Sequence, residues 1–213
     1  MSCLSERDLW EKEYRKVRLD PVQRYDPSSF SVRVVELLDS GARILELGCG
    51  LGGDSVFFAL KGFEVHCIDF SESAIECSID LIDRYGLETM YPLVHDISEV
   101  FPFGDDCFDA FYAHLSLHYF DDETTTKVFD DIYRVLKRNG ILFAKVKSIK
   151  AAKYGLGEKM GENIYHHHHL RHFFSKEYLE EKTQRFTTIE LQEVNEKIYN
   201  TESAFLEIIA KKP

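Results

Sequence analysis

The stretch ILELGCGLGGDS, residues 44–55, sets Gly48, Gly50 and Gly53 at the spacing G-x-G-x-x-G. Such glycines let a backbone approach a ligand at a helix N-terminus, as in proteins that hold a dinucleotide pyrophosphate. Glu46 stands two residues before the first of them. A carboxylate there repels a pyrophosphate and is reasonable beside a cation. The loop therefore permits a dinucleotide or a smaller nucleoside without phosphate. Asp69, closing FEVHCID, can accept from both ribose hydroxyls of either ligand and does not discriminate between them.

A second group of chemically capable residues is YHHHHLRHFF, with His166, His167, His168, His169 and His172 in one short run. Adjacent histidines cannot all face one side of a helix or strand. A closed metal site would need a loop and outside ligands, and no acidic or cysteine partner has ligand spacing nearby. No metal is expected, and the run reads as a flexible loop. The five cysteines, Cys3, Cys49, Cys67, Cys77 and Cys107, form no C-x-x-C pair and are odd in number, so reduced, mostly buried thiols are expected.

The elements that must position these residues follow from pattern and length. A chain of 213 residues, 44% hydrophobic, suits one domain with one substantial core. The net charge of −11 repels phosphate backbones, so nucleic acid is not expected as the main partner. MSCLSERDLWEKEYRK has no apolar signal-peptide region, and no apolar run is long enough to span a membrane. A soluble, cytoplasmic protein without a membrane partner is the expectation. Helices are predicted over residues 6–17, 28–38, 54–62, 71–86 and 123–140, with another in SKEYLEEK. A loop at 18–29 is broken by Pro21 and Pro27. Strands are predicted over 42–47, 63–70, 88–96, 107–115 and 141–148, so strand and helix alternate, as in a parallel sheet covered on both faces. Two further strands, QRFTTIELQEV and ESAFLEIIAKK, are joined by the short polar VNEKIYNT. Strands joined so closely must pair antiparallel, because a parallel crossover needs about a dozen residues or more.

In their order and spacing, ELGCGLGG, Asp69, His95-Asp96, FDAFYAHLSLHYF, RVLKRNGILFAKV and the terminal hairpin resemble a class I methyltransferase that uses S-adenosylmethionine. The resemblance runs from about residue 6 to the end. DLWEKEY and RHFFSKEYL are similar to the small-molecule branch, near the tellurite-resistance and thiopurine methyltransferases. It implies an α/β fold with a Rossmann-like, doubly wound, mostly parallel sheet ending in an antiparallel hairpin. It implies one domain over residues 1–213, with residues 1–40 as a helical lid or cap.

The resemblance also implies roles. Gly48, Cys49 and Gly50 lie against S-adenosylmethionine, with Glu46 near its cationic methionyl end. Asp69 takes the ribose, and Phe70 covers the adenine or belongs to the core. Asp96 accepts from the adenine amine while the Ile97 amide meets a ring nitrogen. The carbonyls of Ala113 and His114 hold the cofactor amine; many relatives carry a small or amide residue at His114, which leaves the role of its side chain open. Trp10 and Tyr14, four apart and so on one helix face, line the pocket or staple the helix to the core. His118 is the candidate general base toward a small-molecule methyl acceptor, with Tyr119 beside it; the alternative is that both only close the pocket. His169, Arg171 or His172 would contact the acceptor, in the loop where such enzymes build its pocket, and Lys145, Lys147 and Arg171 would suit an anionic acceptor unless they are solvated. Rival readings are a protein methyltransferase, a non-enzymatic cofactor-binding protein and an NAD-dependent dehydrogenase. The sequence carries no code for the acceptor or the oligomeric state.

Overall fold

The computed structural model describes residues 5–18, 26–198 and 201–213. The chain divides into two compact units, Met1–Phe101 and Pro102–Pro213. Parts of the expected lid and of the loop at 18–29 lie outside the described residues. Among the described residues no helix is long and apolar enough to cross a membrane.

In the first unit, β1 (Arg43–Leu47), β2 (Glu64–Asp69) and β3 (Met90–Val94) pair in parallel, in the order β3-β2-β1. Ile44, Leu45, Leu47, Val65, Cys67 and Ile68 are wholly buried, which fits strands covered on both faces. The helices are α1 (Glu6–Arg18), α2 (Ser29–Val35), α3 (Gly53–Leu60) and α4 (Glu72–Tyr85). Ser71 caps α4 by accepting from the Ala74 amide, and Gly86 ends it in the left-handed conformation. α2 is shorter than the sequence suggests. The amides of Leu37 and Leu38 donate to Val34 and Val35 in tightened turns, and the apolar Leu37 is half exposed. Its start is held instead by buried Asp54 of α3. That carboxylate accepts from the Ser28 amide at 2.7 Å and from the hydroxyls of Ser28 and Ser31 at 2.9 and 2.8 Å.

In the second unit, β4 (Phe108–His114) pairs in parallel with β5 (Leu136–Lys147), and α5 (Asp122–Val135) connects them. The helix expected to reach residue 140 stops at Val135. Leu136 turns extended and is wholly buried, Asn139 is left-handed at φ 67°, and Lys137 pairs with Asp109 at 2.8 Å. Burial of Leu136 outweighs the helical propensity of the basic run.

The histidine run is not the flexible loop expected. β6 (Glu158–Gly161), β7 (Ile164–His167) and β8 (His169–His172) form a three-stranded antiparallel sheet, with His168 turning the chain at φ 65°. Successive side chains of a strand face opposite sides, but burial here grades toward the turn: Ile164 and the opposite His172 are buried, while His166 and His167 are exposed. Consecutive identical histidines conceal the strands in the sequence. α6 (Lys176–Lys182) follows, capped by Ser175. β9 (Thr187–Ile198) and β10 (Thr201–Lys211) make the expected antiparallel hairpin, and β10 also pairs antiparallel with β5. The polar segment read as a connection is mostly strand. One reason is visible: Glu196 meets the buried Lys145, so a polar residue here has a partner.

Gly157 is a point where only glycine fits. Its φ is +93°, and an added Cβ would lie 2.3 Å from the His166 carbonyl oxygen. Gly155 is also left-handed at +79°, but with open space around it. Gly157→Ala is therefore expected to destabilise by about 1–3 kcal/mol, and Gly155→Ala by no more than about 1 kcal/mol. Urea unfolding midpoints of the two variants check this ordering.

Candidate functional site

The glycine loop of the first unit leaves β1 still bonded to β2, with the amides of Gly48 and Cys49 donating to the Ile68 carbonyl at 2.8 and 3.1 Å. It then turns through left-handed Gly48 and Gly50. Asp69 stands at the end of β2 and is buried. One of its carboxylate oxygens accepts from the Gly50 amide and the other from the Ser71 amide, each at 2.9 Å. A single side chain thus joins the loop to the start of α4, a positioning role that the ribose assignment did not include. Each oxygen has a further lone pair for a hydroxyl donor. Burial pushes the Asp69 pKa up to about 6, against the amides of Ser71 and Gly50, which pull it down.

Glu46 is also buried and accepts from the Ser55 hydroxyl. Burial first, then the neighbouring Asp54 carboxylate, pushes it well above the usual carboxylate range. Cys49 is buried, and its contact with the Cys67 thiol and then burial push it up, so it stays a thiol. Cys49, Cys67, Cys77 and Cys107 are all free.

Helix α1 lies against this loop. Trp10 and Tyr14 stack with ring centroids 5.6 Å apart. A Cβ on Gly50 would come within 3.1 Å of the Tyr14 hydroxyl, so the phenol sits over the glycine. The anchor is Glu11, which sequence reasoning missed. It accepts from the Ser71 hydroxyl at 2.6 Å, the Ser73 amide at 3.3 Å and the Ser73 hydroxyl. An anion is favoured at this helix N-terminus. Burial raises the Glu11 pKa, but the hydrogen bonds of Ser71 and Ser73 prevail and lower it. Some 60 residues separate the partners, and no local spacing signals the contact.

Phe70 is half-buried after β2, and Ile97 is buried. Asp96 is exposed, and one oxygen closes a turn by accepting from the Ser98 amide and hydroxyl at 2.9 and 2.7 Å. This is the local bonding of a turn aspartate, with its second oxygen still available to an amine.

The second unit gathers the remaining candidates. Ala113 is wholly buried near the end of β4, and the His114 ring stacks on Tyr112. His118 is 0% exposed, and neither ring nitrogen has a hydrogen-bond partner among the described residues. Its ring lies 4.6 Å from that of Tyr119, and its carbonyl accepts from the His172 amide. Burial, then the charges of Lys147 and Arg171, hold its pKa well below the usual histidine value, so the imidazole is neutral. His172 is lowered to about 4, mainly by burial. His169 and His172 are buried, whereas His166, His167 and His168 are exposed. Lys145 is neutralised by Glu196 and Glu207, so it does not offer charge to a ligand.

Parallel strands with flanking helices, a glycine-rich turn after β1, an acid after β2 and a terminal antiparallel hairpin define the class I S-adenosylmethionine-dependent methyltransferase fold. Residues 44–140 match the family described as "Methyltransferase domain". YqeM of Bacillus subtilis (strain 168), a provisionally named methyltransferase, is 35% identical over 113 residues, covering 52% of this chain and 44% of its own length. Other relatives in a similar range bear the names of sterol and tRNA methyltransferases. The chain spans 44%, 38% and 38% of the length of three curated relatives that it matches. Among solved structures, a SAM-dependent methyltransferase from Methanosarcina mazei is similar at TM-score 0.76 and 20% identity, over 88% of this chain and 98% of that one. The 1,6-didemethyltoxoflavin-N1-methyltransferase of Burkholderia thailandensis, solved with S-adenosylhomocysteine, has TM-score 0.71 and 20% identity, over 100% of this chain and 92% of that one.

The pKa of Asp69 sets a pH signature. It rises from an unfolded value of 3.8 to about 6, so folding favours the protonated form. That contribution is full below pH 3.8 and is lost as pH rises through about 6, amounting to about 3 kcal/mol. Asp69→Asn is expected to flatten this part of the stability curve. Unfolding free energies of wild type and variant between pH 4 and pH 7 would show it as a difference that grows and then levels off near pH 7.

Proposed function

We propose that the protein transfers the methyl group of S-adenosylmethionine to a small-molecule acceptor. The observation that carries the cofactor side is the Asp69 carboxylate, which bonds the Gly50 amide and presents further acceptor capacity beside it. The residues fit a nucleoside cofactor: Asp69 keeps acceptor lone pairs for ribose hydroxyls, and Gly50, without a side chain, lets the Tyr14 phenol pack over the loop. In this reading Asp69 holds the ribose. Gly48, Cys49 and Gly50 offer backbone to the methionyl chain, with Glu46 behind them. Phe70, Asp96 and Ile97 take the adenine. Trp10 and Tyr14 cover the loop and exclude water from it.

The bound cofactor supplies an electrophilic methyl on a good leaving group. The protein contributes orientation and proton handling. His118 is neutral and wholly buried with free ring nitrogens, so one of them can take a proton from an acceptor hydroxyl, thiol or amine. Relatives named for tRNA acceptors exist, but a net charge of −11 opposes a phosphate backbone. The compact cluster around His118 favours a small acceptor.

Calorimetric titration with S-adenosylhomocysteine, with NAD in parallel, tests the cofactor. Micromolar binding of the first and none of the second is expected; binding of NAD alone would overturn the assignment. Asp69→Ala is expected to weaken S-adenosylhomocysteine at least about tenfold, or about 1.4 kcal/mol. His118→Gln should leave that affinity unchanged and lower turnover about a hundredfold or more. Unchanged turnover in His118→Gln would remove it as the base.

A further inference from the structure

We propose, resting on the methyltransferase reading, that the methyl acceptor is an organic anion. Its charged group is held by Arg171 and Lys153, and its apolar body lies against Tyr165, Phe173 and Leu156.

The placement follows from strand register. Tyr165 pairs with Arg171, and His167 with His169, across the β7–β8 turn. Paired residues share a face, and alternate residues along a strand do too, so Tyr165, His167, His169 and Arg171 point one way. With Phe173, Lys153 and Leu156 they line a shallow depression open to solvent, in which a ligand would lie on the surface of the hairpin and not inside an enclosed cavity.

The charge in this place is unusual for the chain. The net charge is −11, and most buried or half-buried cations have carboxylate partners. Lys145 meets Glu196 and Glu207, Lys182 meets Asp122, and even the exposed Lys150 meets Glu193. Among the described residues Arg171, Lys153 and Lys147 show no ion pair. Arg171 donates only to the His167 carbonyl, at 3.3 Å, and its guanidinium lies 5.8 Å from the centre of the Tyr119 ring. Its Nε is buried without a hydrogen-bond partner, and so are both ring nitrogens of His118, the residue beside Tyr119. Buried donors without acceptors are costly, and a carboxylate or phosphate oxygen is the partner that a guanidinium matches best.

The cations also act on one another. Burial, then the charges of Arg171 and Lys153, lower the Lys147 pKa to about 8. His118 is depressed first by burial and then by the charges of Lys147 and Arg171, which makes it a weak base. A bound anion would offset the part due to charge and so raise the basicity of His118 when the acceptor is in place. The anion thus explains how a histidine surrounded by positive charge can serve the reaction.

The test uses the full chain saturated with S-adenosylhomocysteine, titrated with benzoate, with its neutral counterpart benzamide and with inorganic phosphate. Benzoate is expected to bind at least tenfold more tightly than benzamide, and also more tightly than phosphate, which lacks the apolar body. Arg171→Met and the exposed Lys153→Met should each weaken benzoate several-fold. Lys150→Met should not, and none of the three should change S-adenosylhomocysteine affinity. Equal binding of benzoate and benzamide, no binding of benzoate to the saturated protein, or no effect of either variant would overturn the proposal. Phosphate binding as tight as benzoate would overturn the organic body. Failure of S-adenosylhomocysteine itself to bind would overturn the methyltransferase reading on which this inference rests.

Discussion

A buried carboxylate, Asp69, is the constraint on which the arrangement of the first unit depends. Its two oxygens receive the Gly50 and Ser71 amides, so the glycine loop and the start of α4 are fixed by one group. From Ser71 the connection continues to Glu11, whose helix carries Tyr14 back over Gly50. The contacts close into a ring: carboxylate, loop, phenol, α1, Glu11, serine and carboxylate again. In such a ring each contact limits the freedom of the next. Loss of Asp69 would therefore release the covering helix as well as the loop, although α1 touches Asp69 nowhere in the chain of bonds just described. Coupling of this kind adds up to more than its separate pairs.

The second unit handles charge by a different rule. Lys145 is buried, and two glutamates neutralise it, as a buried cation requires. Among the described residues Arg171 and Lys153 have no carboxylate partner, and buried polar atoms of Arg171 and His118 stand without a hydrogen bond. Native proteins rarely leave buried polar groups unsatisfied, and exceptions tend to mark places where a partner arrives from outside. The contrast between a neutralised lysine and an uncompensated arginine, within one unit, separates structural charge from charge kept for a ligand.

Much of the fold was legible in the sequence because apolar runs, caps and glycines act locally. The strands RILEL and EVHCID, the Ser71 cap, the Gly86 stop and the terminal hairpin are all signalled within a few residues of where they form. The misreadings share a cause. The histidine run spans two strands and their turn, but identical residues carry no pattern, so it reads as a loop. The basic end of α5 satisfied helix-stop rules, yet burial of Leu136 ended the helix earlier. The polar VNEKI was read as a connection because its ion-pair partner, Lys145, is remote in sequence. At the site, the glycines and Asp69 announce themselves by spacing. Glu11 and Asp54 do not, since each acts on serines more than twenty residues away.

The ambiguity of G-x-G-x-x-G bears on what lies beneath the loop. Two acids, Glu46 and Asp69, are buried there, and burial raises both, so the loop tolerates little negative charge. A pyrophosphate would add charge of the same sign, and the nearby carboxyls would have to stay protonated to admit it. A cationic ligand does the reverse: it lowers both pKa values and turns two costly groups into partners. The glycines permit either ligand, because they only remove side chains. Asp69, which can take the ribose of either, does not choose between them, and Glu46, held protonated by burial, bears on the choice only where a cation draws off its proton.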